Sequence, residues 1–256
     1  MTSPSSIHQG EQARSASRRG RAAGFFDVDR TLLRGSSFLA LAGPLRQAGL
    51  LSRRRLLSAA LHQLGFTLRG ASRQQVEDAG RAGAEAVRGI DAERLRRVAT
   101  DSLDTVLLPR LFEGALDAID AHHRAEEPVF LVSSGPVEIV EPLARALGAA
   151  DVAATRAEIS GGRYTGELIH FCHGSAKYHA LHALARRHNL DLQRSTAYAD
   201  SYTDAYMLGG VGHPVCVNPD GELAALAQRR NWEVRHWRET AADDALAYRS
   251  SSTSRR

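Results

Sequence analysis

Three apolar segments of this chain each run directly into a polar cluster. AAGFFDV (22–28) leads into Asp27-Val28-Asp29-Arg30-Thr31, PVFLV (128–132) into Ser133-Ser134-Gly135, and Ser195–Ala199 into Asp200-Ser201-Tyr202-Thr203-Asp204. Short apolar runs bounded by polar residues read as buried strands of a parallel sheet. In an open sheet of that kind, ligands bind beyond the carboxyl ends of the strands. The three clusters are far apart in sequence, yet this arrangement lets them converge on one site.

The rest of the chain supports such a sheet. Ala115–His123 reads as a helix, and Pro136 at the first helical position opens another that runs to about Leu147. Ile159–Leu168 predicts a hairpin turning at Gly161–Gly162. Lys177–His188 and Gly221–Arg230 read as helices, Thr203–Leu208 as a short helix start, Pro214–Asn218 as a strand and Trp232–Trp237 as a late edge strand. Residues 38–114 differ. LLSAALHQLGFTL (56–68) and AERLRRVATDSLDTVL (92–107) space their apolar residues for three or four amphipathic helices, with boundaries blurred by Gly65, Gly70, Gly80, Gly83 and Gly89. Arg53, Arg54 and Arg55 read as a solvated helix face, with a phosphate-attracting rim as the alternative. The expected fold class is α/β, a three-layer core with a parallel sheet and an inserted all-helical unit. The division is a basic tail (1–21), the core's first part (22–37), the helical insertion (38–114), the core's second part (115–245) and a flexible tail (246–256).

Composition removes several alternatives. At 256 residues, 43% hydrophobic and 24% charged, the chain is long enough for a core without staples and has an ordinary globular mixture. Its 33 basic and 29 acidic residues leave only +4, partly in the tails, so no specific nucleic-acid partner is expected. Deleting 1–21 and measuring binding across salt concentrations would expose any role of the basic tail. Cys172 and Cys216 are the only cysteines, with no CxxC pair and no apolar leader, which points to a reducing cytoplasm. No apolar run approaches the ~18 residues of a membrane span. Oligomeric state has no sequence signal.

The acidic clusters suggest their own chemistry. In an extended strand Asp27 and Asp29 would share a face. Two close carboxylates repel unless a cation or proton relieves them, and Asp200 with Asp204 forms a second acidic pair. An all-oxygen set suits Mg²⁺ rather than zinc. Lys177 beside such a set can hold an anion, with the Ser133 hydroxyl and the Ser134–Gly135 amides as a phosphate cradle.

These motifs, in this order, resemble the haloacid dehalogenase (HAD) superfamily. The resemblance runs from Ala22 to about Trp237. Asp27-Val28-Asp29-Arg30-Thr31-Leu32 matches its first motif, Ser133 in FLVSSG the second, Lys177 in GSAKYHAL the third and Asp200 to Asp204 the fourth. The helical insertion resembles the C1 cap of the phosphoserine-phosphatase-like branch, subfamily IB, as do GSSFL (35–39), YTGEL (164–168), YADSYTDAYML (198–208) and VGHPVCVNPD followed by NWEV.

The resemblance implies a Mg²⁺-dependent phosphatase acting on a small polar phosphomonoester. Asp27 would be the nucleophile that forms an aspartyl-phosphate, and Asp29 the acid and then the base. Mg²⁺ would be held by Asp27, the Asp29 backbone carbonyl and Asp200. Ser133, Gly135 and Lys177 would bind the phosphoryl group, with Thr31 and Asp204 in support. Asn218 is a weaker candidate that would order the Asn218–Pro219 turn. Ser36 stands where phosphoserine phosphatases have a substrate-reading Glu, and SSG replaces their SGG, which argues against phosphoserine. Arg69, Arg73, Arg81 and Arg88 are candidates for a substrate carboxylate. A phosphotransferase using the same intermediate, and a regulatory interaction protein on a HAD fold, are the competing readings.

Other residues read as packing. His170, Cys172 and His173 lack a fourth zinc ligand or an orienting partner for thiol chemistry. His122, His123, His179 and His182 read as helix-surface or satisfied core residues.

Overall fold

Strand β1 (Gly24–Phe26) lies in the middle of a seven-stranded sheet, and its position organises everything around the site. The computed structural model describes residues 20–51 and 73–238. The remaining strands are β2 (Val129–Pro136), β3 (Asp151–Ser160), β4 (Arg163–His170), β5 (Thr196–Ala199), β6 (His213–Val217) and β7 (Glu233–Arg235), in the order β4-β3-β2-β1-β5-β6-β7. All neighbouring pairs are parallel except β3–β4, an antiparallel hairpin turning at Gly161 and Gly162, both at positive φ. A two-residue turn of this hand needs positive φ at both centres, which glycine supplies without strain.

Helices cover both faces. The first helices after β1 are α1 (Ser37–Ala40), α2 (Ala42–Gln47), α3 (Arg73–Ala86) and α4 (Ala92–Asp101). Next come α5 (Glu113–Arg124), α6 (Val137–Ala146), α7 (Ser175–His188), α8 (Ala205–Leu208) and α9 (Gly221–Arg230). Strand residues alternate between two cores. Phe26, Val129, Leu131, Tyr198, Val215 and Val217 pack on the side of α5 and α6. Phe25, Phe130, Val132, Ala197, Ala199 and Cys216 pack on the side of α7, α8 and α9. A strand buried on both faces needs a continuous apolar run, and that is why the three opening segments are so uniformly apolar. On one face Phe26 stacks on Tyr198 at 4.3 Å between centroids; on the other Phe25 stacks on Phe130 at 5.2 Å.

One helix boundary departs from the sequence reading, and several expectations lie outside the described residues. The segment 56–68, residues 1–19 and 239–256, Arg53 to Arg55, Arg69 and the side chain of Arg73 lie outside the described residues, whereas Arg21, at the end of the expected tail, bridges Leu190. Within AERLRRVATDSLDTVL, α4 is capped by the Asp91 side chain and is followed by a π-helical turn at Leu103–Leu107, and a 3₁₀ turn comes next at Leu108–Arg110. Pro109 lies in that 3₁₀ turn and keeps an α-helical ladder from running on through it. Pro136 precedes α6 instead of occupying its first position. It pairs with Thr155 as the last residue of β2 and so takes the extended ψ of 140°.

Among the described residues no helix is long and apolar enough to cross a membrane.

Candidate active site

The chain crosses from one half of the sheet to the other around β1. It builds β2 and β3 on one side and then β5 and β6 on the other. This is a topological switch point, where strand ends splay and leave a crevice. The polar clusters therefore lie at or just beyond the carboxyl ends of three adjacent strands, β2, β1 and β5. They meet along one wall of a cavity of about 530 Å³.

Each side chain arrives there by a local device. Asp27 follows β1, and its backbone N–H still donates to Tyr198 O at 3.0 Å. Beyond it the strand stops. Leu32 and Leu33 N–H both fold back on Val28 O, and Arg30 adopts φ +64°. Asp27 and Asp29 therefore do not share the face of an extended strand, as the spacing suggested. The tight turn returns Asp29 to the cavity, where its Oδ1 accepts from the Ser37 N–H at 2.9 Å.

Lys177, in the first turn of α7, is 2% exposed. Its Nζ donates to Asp27 Oδ1 at 2.5 Å and to Asp204 Oδ2 at 2.8 Å. Burial alone would lower the lysine's pKa, but the two carboxylates outweigh it and hold the ammonium charged. Thr31 Oγ1 donates to Asp200 Oδ1 at 3.2 Å, and Arg30 Nε pairs with Asp200 Oδ2 at 3.0 Å. Ser133 is buried, and its Oγ accepts from Gly135 N–H at 3.0 Å. The Gly135 amide thus bonds the serine, although both residues line the cavity.

Eight of the residues singled out from sequence are brought close together: Asp27, Asp29, Thr31, Ser133, Gly135, Lys177, Asp200 and Asp204. Seven of them line the cavity, and Thr31 stands behind Asp200. Four carboxylates face two cations, Lys177 and Arg30. Burial raises the pKa of Asp200, and the Asp27 charge raises it further. Asp29 is likewise raised, first by burial, against the opposing bonds from Ser37. Asp204 Oδ1 is buried without a hydrogen-bond partner. An acidic excess with an orphaned oxygen is a setting that another cation would relieve. Among the described residues no three His, Cys, Asp or Glu side chains form a closed metal group. Two carboxylates and a carbonyl, with the other positions left to water, fit the donor economy of Mg²⁺ without such a group.

The opposite end of the cavity is different. Phe38, Val87, Leu95, Leu168 and Phe171 line it, along with small residues of α3 such as Gly80 and Gly83. A pocket shaped for a small polar metabolite was expected; the described walls there are mainly apolar. Two polar side chains interrupt them, Glu138 on α6 and Tyr164 on β4. Arg81 pairs with Asp78 and Arg88 with Glu85, and neither guanidinium lines the cavity. Ser36 is engaged as the cap of α1, accepting from Leu39 N–H.

Sequence reasoning missed Glu138, Tyr164 and His173. His173 lines the cavity, and its Nδ1 lies 3.1 Å from Ser134 Oγ; burial lowers its pKa to about 4, so the ring is neutral near pH 7. The HFCH stretch and the YTGEL hairpin drew notice in sequence, but only the packing of β4 against the sheet aims their residues. Cys172 is buried with its Sγ 3.6 Å from Ala153 O, and burial pushes its thiol up to about 12, far from a reactive thiolate. His122 is a satisfied core residue, between Glu127 at 2.7 Å and Tyr198 OH at 3.1 Å. Asn218, at φ +43°, ties Trp237 to the end of β6 through both its amide atoms and does not line the cavity.

A switch-point crevice ringed by aspartates around a buried lysine defines a hydrolase-type site on a Rossmann-like sheet. The model for haloacid dehalogenase-like hydrolases matches residues 25–209, and the chain belongs to that family of hydrolases. A probable phosphatase of Mycobacterium tuberculosis is 39% identical over 216 residues, covering 84% of this chain and 75% of the relative. A protein of the same organism named as a phosphoserine phosphatase is 36% identical over 219 residues, covering 85% of this chain and 71% of its own. Among solved structures, a Bordetella pertussis protein of unknown function superimposes with a TM-score of 0.68 at 27% identity, covering 84% of this chain and 98% of that one.

Proposed function

We propose that the chain is a Mg²⁺-dependent phosphomonoesterase working through a covalent intermediate on Asp27. The observation that carries this reading is the Lys177 ammonium held between Asp27 and Asp204 where three strand ends meet. A carboxylate is a poor nucleophile toward a phosphate dianion because the charges repel. Lys177 lies against the attacking group and offsets that repulsion. Asp27 forms a bond to phosphorus as the ester oxygen leaves. Asp29, whose carboxyl burial raises above its usual range, acts as the acid and donates its proton to the departing alcohol. The resulting carboxylate then takes a proton from the water that attacks the aspartyl-phosphate, releasing inorganic phosphate and restoring Asp27.

Asp27, Asp200 and the Asp29 backbone carbonyl would hold Mg²⁺, which supplies positive charge against the phosphoryl oxygens when bound. Ser133 and the Gly135 amide would bind phosphoryl oxygens, the amide exchanging its bond to Ser133 Oγ for one to the phosphoryl group. Thr31 and Asp204 position Asp200 and Lys177. Residues 38–114 are read as a cap over this core, and the buried free cysteines suit a reducing cytoplasm.

Hydrolysis of p-nitrophenyl phosphate tests the reading. Turnover is expected with Mg²⁺ and not after chelation, and Asp27→Asn lowers kcat at least ~10⁴-fold. Magnesium-independent turnover, or full activity in that variant, would overturn it.

A further inference from the structure

Glu138 is a carboxylate that the proposed chemistry does not use. It is 4% exposed and lines the apolar end of the cavity. It forms no ion pair among the described residues; Arg96, whose charge it feels, is hydrogen-bonded to Glu141. Beside it stands the Tyr164 hydroxyl, 3% exposed as a residue and also on the cavity wall. Burial raises the pKa of that hydroxyl, and the facing Glu138 carboxylate, its one candidate acceptor, raises it further. A buried carboxylate with no ion pair and only a buried hydroxyl beside it, both open to the same cavity, is costly unless a cation in that cavity completes it. Placement in the first turn of α6 offsets part of the cost for Glu138.

The charge that completes this pair must be positive. Among the described cavity residues the cations are Lys177 and Arg30, and both are bound to aspartates at the other end. Among the described residues the apolar end therefore offers a carboxylate for an ammonium group and no cation for a substrate carboxylate. Between these polar features the walls are Phe38, Val87, Leu95, Leu168 and Phe171.

We propose that Glu138 and Tyr164 determine specificity, and that the substrate is the phosphate ester of an amino alcohol with an apolar body and no carboxylate. The ammonium donates to Glu138, the Tyr164 hydroxyl completes its shell, and the body fills the apolar space. This rests on the phosphomonoesterase reading and names the substrate class for that same cavity.

The test compares 2-amino-3-phenylpropyl phosphate with 3-phenylpropyl phosphate, which differ only in the amine. O-phosphoserine and p-nitrophenyl phosphate complete the panel. The wild-type KM for the amino ester is expected to be at least about tenfold lower than for the desamino ester. In Glu138→Gln that ratio falls toward one. Tyr164→Phe, the milder change, reduces the ratio about two- to fivefold, and circular dichroism checks the fold of both variants. A purely structural role would shift both esters together and leave the ratio unchanged, which overturns the inference. Equal KM values in the wild type, preference for O-phosphoserine, or turnover of p-nitrophenyl phosphate alone would also overturn it. Failure to hydrolyse even p-nitrophenyl phosphate would overturn the phosphatase reading itself.

Discussion

The two ends of the cavity are built on opposite principles. At the strand ends, aspartates, a buried lysine and an arginine interlock, and nearly every charged atom has a partner. At the end formed by α3, α4, α6 and β4, the walls are mostly apolar and the two polar groups, Glu138 and Tyr164, have no ion pair among the described residues. A charged network fixes the positions of atoms that must react. An apolar wall with one open carboxylate instead waits for the molecule that completes it. Chemistry and selection are thereby separated in space, and substitutions at the two ends should have different kinetic signatures.

Lys177→Gln should have the larger effect. It leaves Asp27 and Asp204 buried together without their cation, so stability should fall by about 3–5 kcal/mol and kcat by at least ~10²-fold. Denaturant unfolding and steady-state kinetics measure both. A fall in neither would mean that the lysine is not the electrostatic centre of the charged end. At the other end, Phe38→Ala should raise KM for aryl phosphates about three- to tenfold with kcat changed less than about twofold. A loss confined to kcat would erase the distinction between the ends.

The same division explains how much could be read from the chain. The charged end was legible because its chemistry is local. Apolar strands run into short acidic or serine-rich stretches, and a parallel sheet gathers strand ends whatever the intervening length. Even there, the turn at Arg30 was not visible: its positive φ shows no glycine or asparagine signal, and it is what turns Asp29 inward. Pro136 was displaced by one position because pairing with β3 outweighed the helix-start preference. The apolar end was illegible for a different reason. Glu138 sits in an ordinary first turn of a helix and Tyr164 in an ordinary hairpin. Only the packing of β4 and α6 around one cavity brings them together. A lone Glu or Tyr carries no spacing signature, so the residues proposed to select the substrate are the ones that sequence reasoning passed over.

The central claim is that Asp27 carries the phosphoryl group. Rapid acid quench of the working enzyme, followed by proteolysis and mass spectrometry, tests it directly. The account predicts the mass of one phosphoryl group on the peptide containing Asp27, localised to that residue, and none in Asp27→Asn. Turnover with no phosphorylated Asp27 at any quench time, or phosphorylation at another residue, would contradict it.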